Sequence, residues 1–99
     1  MRFDKEGKFT VYVKWLSASH HSKMPIKSGI RPQIFVGGIK TSCIISELTG
    51  KEMNLDIEYE AELEIIFWDH YKHLFCGISK FDLYNGNMKL GEGYFVNPV

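Results

Sequence analysis

The sequence predicts an all-β fold, and three observations carry that reading. From Met53 to Phe67 every odd position is apolar or small, and every even position up to 64 is polar or acidic. That is a period of two, where a helix would show about 3.6. Elsewhere, short apolar runs are bounded by glycine and polar residues, as in Ile34–Val36 and Cys43–Ile45, which is how brief buried strands read. Finally, Asn85-Gly86 lies between Phe81-Asp-Leu-Tyr84 and a run ending at Val96, a hairpin signal because both central residues of a type I′ turn need positive φ. Consecutive hairpins with no convincing helix favour a small closed barrel or a sandwich, since closure removes exposed edges.

In chain order, residues 1–8 read as a flexible lead-in. Phe9, Val11, Val13 and Trp15 then alternate with Thr10, Tyr12 and Lys14 as a first strand. Residues 17–31, with their serines, histidines, Pro25 and Gly29, read as a loop, followed by the two short apolar runs. The run from Met53 to Phe67 is too long for one ordinary strand. A bend near Tyr59 to Ala61 would divide it, or one curved strand would replace the turn. Residues 69–74 read as a loop before the last hairpin. About six or seven antiparallel strands result.

Ninety-nine residues make one domain with a modest core. Apolar residues at 44% and aromatics at 14% suit a folded chain. No apolar run approaches the roughly 20 residues that cross a bilayer, and the first residues lack a signal peptide's hydrophobic stretch, so a soluble cytoplasmic protein with no membrane association is expected. Cys43 and Cys76 are expected to be reduced thiols on the same ground. Charge is unevenly placed: residues 1–40 hold eight bases and two acids, residues 41–99 four bases and ten acids. Such asymmetry marks separate basic and acidic surfaces, or strands that neutralise one another once interleaved.

Candidate chemistry is sparse. His20, His21, His70 and His73, with Asp69, supply nitrogen and oxygen donors, but His70-x-x-His73 is only half of a zinc pattern, so loop histidines without a metal are expected. Glu58, Glu60, Glu62 and Glu64, with Asp56, form the outward row of a strand. Nothing in the sequence sets two of their pKa values apart, as acid–base catalysis needs. The row reads either as a solvated face that discourages edge pairing or as an acidic strip for a basic partner. No Ser-His-Asp or Cys-His arrangement has local support, and Gly37-Gly38 lacks the surroundings of a phosphate loop, so neither an enzyme nor a nucleotide or other cofactor is expected. Trp15, Trp68, Tyr71 and Phe75 offer stacking surfaces for bases or, more simply, core and rim packing.

One stretch carries more than composition. In Gly29-Ile-Arg-Pro-Gln-Ile-Phe35 a flexible joint, a fixed φ and the start of an apolar strand fall within one short run, steering a loop into a sheet. This run resembles the Gly-Tyr-Arg-Pro-Gln-Phe signature in the C-terminal (third) domain of bacterial elongation factor Tu. Phe9-Thr-Val-Tyr-Val13 is similar to that family's first strand, Pro25 matches a proline ahead of the signature, and Leu90-Gly-Glu-Gly93 matches Val-Gly-Ala-Gly before its last strand. The likeness spans residues 9–96 and implies a six-stranded antiparallel β-barrel, here as a free-standing domain.

In that family the domain touches the T-stem of aminoacyl-tRNA, packs on the GTPase domain and meets the exchange factor. The resemblance carries its tRNA contacts onto Gln33, Ser42, Asn85 and Gly86, whose groups can hydrogen-bond to ribose hydroxyls or phosphates. Two arginines of the family's last hairpin are replaced by Tyr84 and Met88, which weakens any grip on RNA. The expected function is therefore a non-enzymatic binding module whose protein partner, a translation component or a toxin that recognises elongation factor Tu, meets Glu58, Glu60 and Glu62. The alternative is binding of a tRNA-like helix through the inherited surface.

Overall fold

The computed structural model describes residues 7–17 and 26–97. His20, His21 and Pro25 lie outside the described residues, as do residues 1–6 of the expected lead-in. Gly7 is buried and Lys8 already belongs to the first strand, so ordered structure starts earlier than residue 9.

Six strands form a closed, wholly antiparallel barrel: β1 (Lys8–Trp15), β2 (Gln33–Val36), β3 (Ile39–Glu47), β4 (Glu58–Ile65), β5 (Lys80–Asn85) and β6 (Met88–Phe95). Their order around the barrel is β1-β4-β3-β2-β5-β6, with β6 returning to β1. Alternation fills the interior. Val11, Val13 and Trp15 of β1, Ile34 and Val36 of β2, Cys43 and Ile45 of β3, Ala61, Leu63 and Ile65 of β4, Phe81 and Leu83 of β5 and Phe95 of β6 all point inward. Met53 and Phe75 enter from connecting segments. Each large apolar side chain so buried contributes about 1.5–3 kcal/mol relative to exposure.

The period-two run behaves as expected at Met53 and from Ala61 to Ile65, with Leu55 and Tyr59 partly buried against the core. Ala61, Leu63 and Ile65 are buried, whereas Ile57 is 48% and Phe67 58% exposed. The chain does not bend at Tyr59–Ala61, which lies within β4. It turns earlier, at Leu55–Asp56, where Asp56 takes φ 64°, the one positive φ among the described non-glycine residues. Aspartate tolerates this left-handed region better than most residues. Two hydrogen bonds hold the turn: Asp56 N–H donates to the Trp15 carbonyl at 2.6 Å, and Ser17 N–H to Asp56 Oδ1 at 3.0 Å. At the other end the run leaves the sheet for a helical segment, which frees Phe67 from the alternation.

That segment replaces the whole of the loop expected at 69–74. One turn of helix, α1 (Trp68–Tyr71), continues into a 3-10 turn over Lys72–Leu74. It packs Trp68, Tyr71 and Leu74 against the core. No helix among the described residues is long and apolar enough to cross a membrane.

The turn of the last hairpin also differs from the sequence expectation by one residue. Asn85 pairs with Met88, so the two-residue loop is Gly86-Asn87, and only Gly86 has positive φ, 63°. Glycine first with positive φ at that position alone is the type II′ pattern, and the type I′ pattern belongs to Gly37-Gly38, at φ 59° and 83° between Val36 and Ile39. A Cβ on Gly86 would meet nothing within 4 Å, so Gly86→Val tests backbone strain without a clash. It is expected to destabilise by roughly 1 kcal/mol or more. An unchanged urea midpoint would refute the assigned turn.

Candidate functional site

Two outer faces hold the residues of interest. The first is built on β4. Since alternate residues share a face, Glu58, Glu60, Glu62 and Glu64 all point outward, Glu58 and Glu60 exposed and Glu62 and Glu64 half-buried. On one side they stand opposite Lys14, Tyr12, Thr10 and Lys8 of β1. On the other, Glu62 faces Ser46 and Glu64 faces Ile44. Neighbouring carboxylates in such a row are about 7 Å apart, within the Debye length of about 8 Å at physiological salt, so their potentials add. Among the described residues, ion pairs are confined to Lys89, at 3.3 Å from both Asp82 and Glu92. Partial burial works against the Lys89 ammonium, but the hydrogen bonds to these two carboxylates outweigh it and raise its pKa. The β4 row has no such direct partner among the described residues.

Glu58 instead accepts a hydrogen bond from the Tyr94 hydroxyl at 3.0 Å. That bond, helped by partial desolvation and the negative charge, pushes the Tyr94 phenol above its ordinary pKa. Tyr94 also lies beside Tyr12, ring centroids 5.3 Å apart and planes 31° from parallel. The pair lines a groove of about 380 Å³ together with Lys14, Glu58, Lys80, Asp82 and Glu92 among others.

The second face lies across β3, β2 and β5 and gathers the residues that the resemblance singles out. Gln33 stands opposite Ser42 on one side and Tyr84 on the other, next to Asn85 and Gly86. The four are therefore brought together, but Gln33 already has a structural role: Gly86 N–H donates to Gln33 Oε1 at 3.1 Å. Lys40, which the sequence reading did not single out, completes the turn. Its Nζ donates to the Gly86 carbonyl at 2.6 Å and lies 4.6 Å from the Tyr84 ring centroid. Phe35 meets the same ring edge-on at 5.8 Å. No spacing rule links Lys40 to Gly86, because only barrel register makes them neighbours.

The remaining candidates are structural or isolated. Trp15 and Phe75 are fully buried, and Trp68 and Tyr71 are half-buried against the core, so none offers an open stacking platform. His70 packs edge-on against Tyr71 at 4.6 Å, and His73 is exposed in the 3-10 turn. No group of three or more His, Cys, Asp or Glu suited to a metal occurs among the described residues. Both cysteines are free; burial pushes the Cys43 thiol up to about 12, while Cys76 is exposed.

No protein-family model matches the chain, and no curated protein matches it.

Proposed function

We propose that this barrel is a non-enzymatic binding module that engages a basic protein partner through the outer face of β4. The observation that carries the reading is the row Glu58, Glu60, Glu62 and Glu64, all outward and with no direct ion pair among the described residues. Such a row steers a basic surface into encounter and sets its register. The likeness of Gly29–Phe35 and Leu90–Gly93 to the third domain of elongation factor Tu, together with the six-stranded barrel, supports a partner from translation in the cytoplasm, or a toxin that recognises elongation factor Tu.

A second reading, binding of a tRNA-like helix, draws on the gathering of Gln33, Ser42, Asn85 and Gly86 on adjacent strands. It is the weaker of the two. Gln33 and Lys40 are engaged in the Gly86 turn, and Tyr84 and Met88 stand where the resembled family has arginines.

Capture on the immobilised protein from its native host, with protein identification by mass spectrometry and sequencing of bound RNA, tests the proposal. The expected catch is a basic protein. Glu58→Lys, Glu60→Lys and Glu62→Lys together should slow its association by about tenfold or more, and alanines at Gln33, Ser42 and Asn85 should leave it unaltered. A partner indifferent to charge reversal, or a catch dominated by RNA, would count against it.

A further inference from the structure

Resting on that reading, we propose that the groove over Tyr12 and Tyr94 receives an arginine side chain of the basic partner. The two rings lie 5.3 Å apart with planes 31° from parallel; Tyr94 is 40% exposed and Tyr12 half-buried. In register, the sequence across the sheet is Lys80, Tyr94, Tyr12, Glu60, and the next row reads Asp82, Glu92, Lys14, Glu58. Lys89 holds Asp82 and Glu92, which leaves Glu58 and Glu60 as the carboxylates beside the rings for a flat cation.

The lysines decide the direction of approach. Lys14 stands between Glu92 and Glu58, and Lys80 stands beyond Tyr94. The side of Tyr12 toward Glu60 and Glu62 is therefore where a cation meets carboxylates first. Glu58 gives one carboxylate oxygen to the Tyr94 hydroxyl, and a carboxylate has further acceptor sites on its other oxygen. A guanidinium stacked over Tyr12 can use them. Guanidinium is preferred to ammonium because it is planar, less strongly hydrated, stacks on aromatic rings and pairs with carboxylates through two N–H groups.

Calorimetric titration with two blocked peptides of equal length and charge, one alternating arginine with glycine and the other lysine with glycine, tests this. The arginine peptide should bind about three- to tenfold more tightly, the range expected for contact with one or two exposed rings. Tyr12→Leu with Tyr94→Leu should abolish that preference while leaving lysine-peptide affinity unchanged. Tyr94→Phe keeps both rings and should retain the preference, which guards against a folding artefact. Equal binding of the two peptides, weakened by Glu60→Gln with Glu62→Gln but not by the double leucine change, would overturn the groove and leave the acidic strip standing. No binding of either peptide at low salt would overturn both.

Discussion

Gly93→Val is expected to unfold the barrel or to lower its stability by about 3 kcal/mol or more, beyond the usual cost of overpacking. Gly93 faces inward on β6 opposite Val13 of β1 and Phe81 of β5. A Cβ there would lie 2.3 Å from the Tyr12 carbonyl oxygen and 2.6 Å from Phe81 Cζ. Close packing leaves no slack for such an overlap. The nearer obstacle is backbone held in the β1–β6 ladder, so shortening the ring should not rescue the fold. Gly93→Val combined with Phe81→Leu is expected to remain destabilised in urea titrations. Recovery of the wild-type midpoint by the second change would show that the ring, and not the carbonyl, sets the limit.

Trp15→Ala is expected to cost about 3–5 kcal/mol, the range for emptying a large buried aromatic site. Trp15 is fully buried, and its indole N–H donates to Met53 Sδ at 3.4 Å. Its ring occupies space left by Gly91, where a Cβ would come within 3.2 Å of Trp15 Cε3. Domains of this kind are stable by only about 5–15 kcal/mol in total, so the variant should melt far below the parent or lose its cooperative transition. Met53→Leu, which keeps apolar volume and removes only a weak sulfur acceptor, should cost less than about 1.5 kcal/mol. A larger loss for Met53→Leu than for Trp15→Ala would contradict this account of the core.

How far these features were legible in the sequence follows from the range of the forces involved. The strand character of β1 and β4 and the outward row from Glu58 to Glu64 could be read from alternation, because a strand's two faces are fixed locally. Extending the alternation to Ile57 and Phe67 failed, because Asp56 and the start of α1 rotate the chain at either end. The Asp56 turn carries no glycine or proline to announce it. Placing the last turn on Asn85-Gly86 was off by one residue. The ladder slips between Leu83 opposite Gly91 and Tyr84 opposite Lys89, and such a bulge depends on strand pairing rather than on turn composition. The strand order was beyond periodicity altogether; the six-stranded barrel came from the resemblance. Leu90-Gly-Glu-Gly93 was legible as a likeness, but that its two glycines make room for Trp15 and Phe81 emerges only when β6 is set against β1 and β5. On the second face, Gln33, Ser42, Asn85 and Gly86 are legible through the resemblance, whereas the bond from Gly86 to Gln33 and the reach of Lys40 depend on the barrel's closure.

The claim that the β4 face, and not the Gln33 face, does the binding is tested most directly by titrating the unmodified protein with folded tRNA over a range of salt concentrations. The account predicts no micromolar, salt-sensitive binding, since Lys40 is held at the Gly86 carbonyl and Lys89 by Asp82 and Glu92, which leaves fewer charges there to release counterions from phosphates. Micromolar binding that falls with salt and is abolished by alanine at Gln33, Ser42 and Asn85 would contradict it.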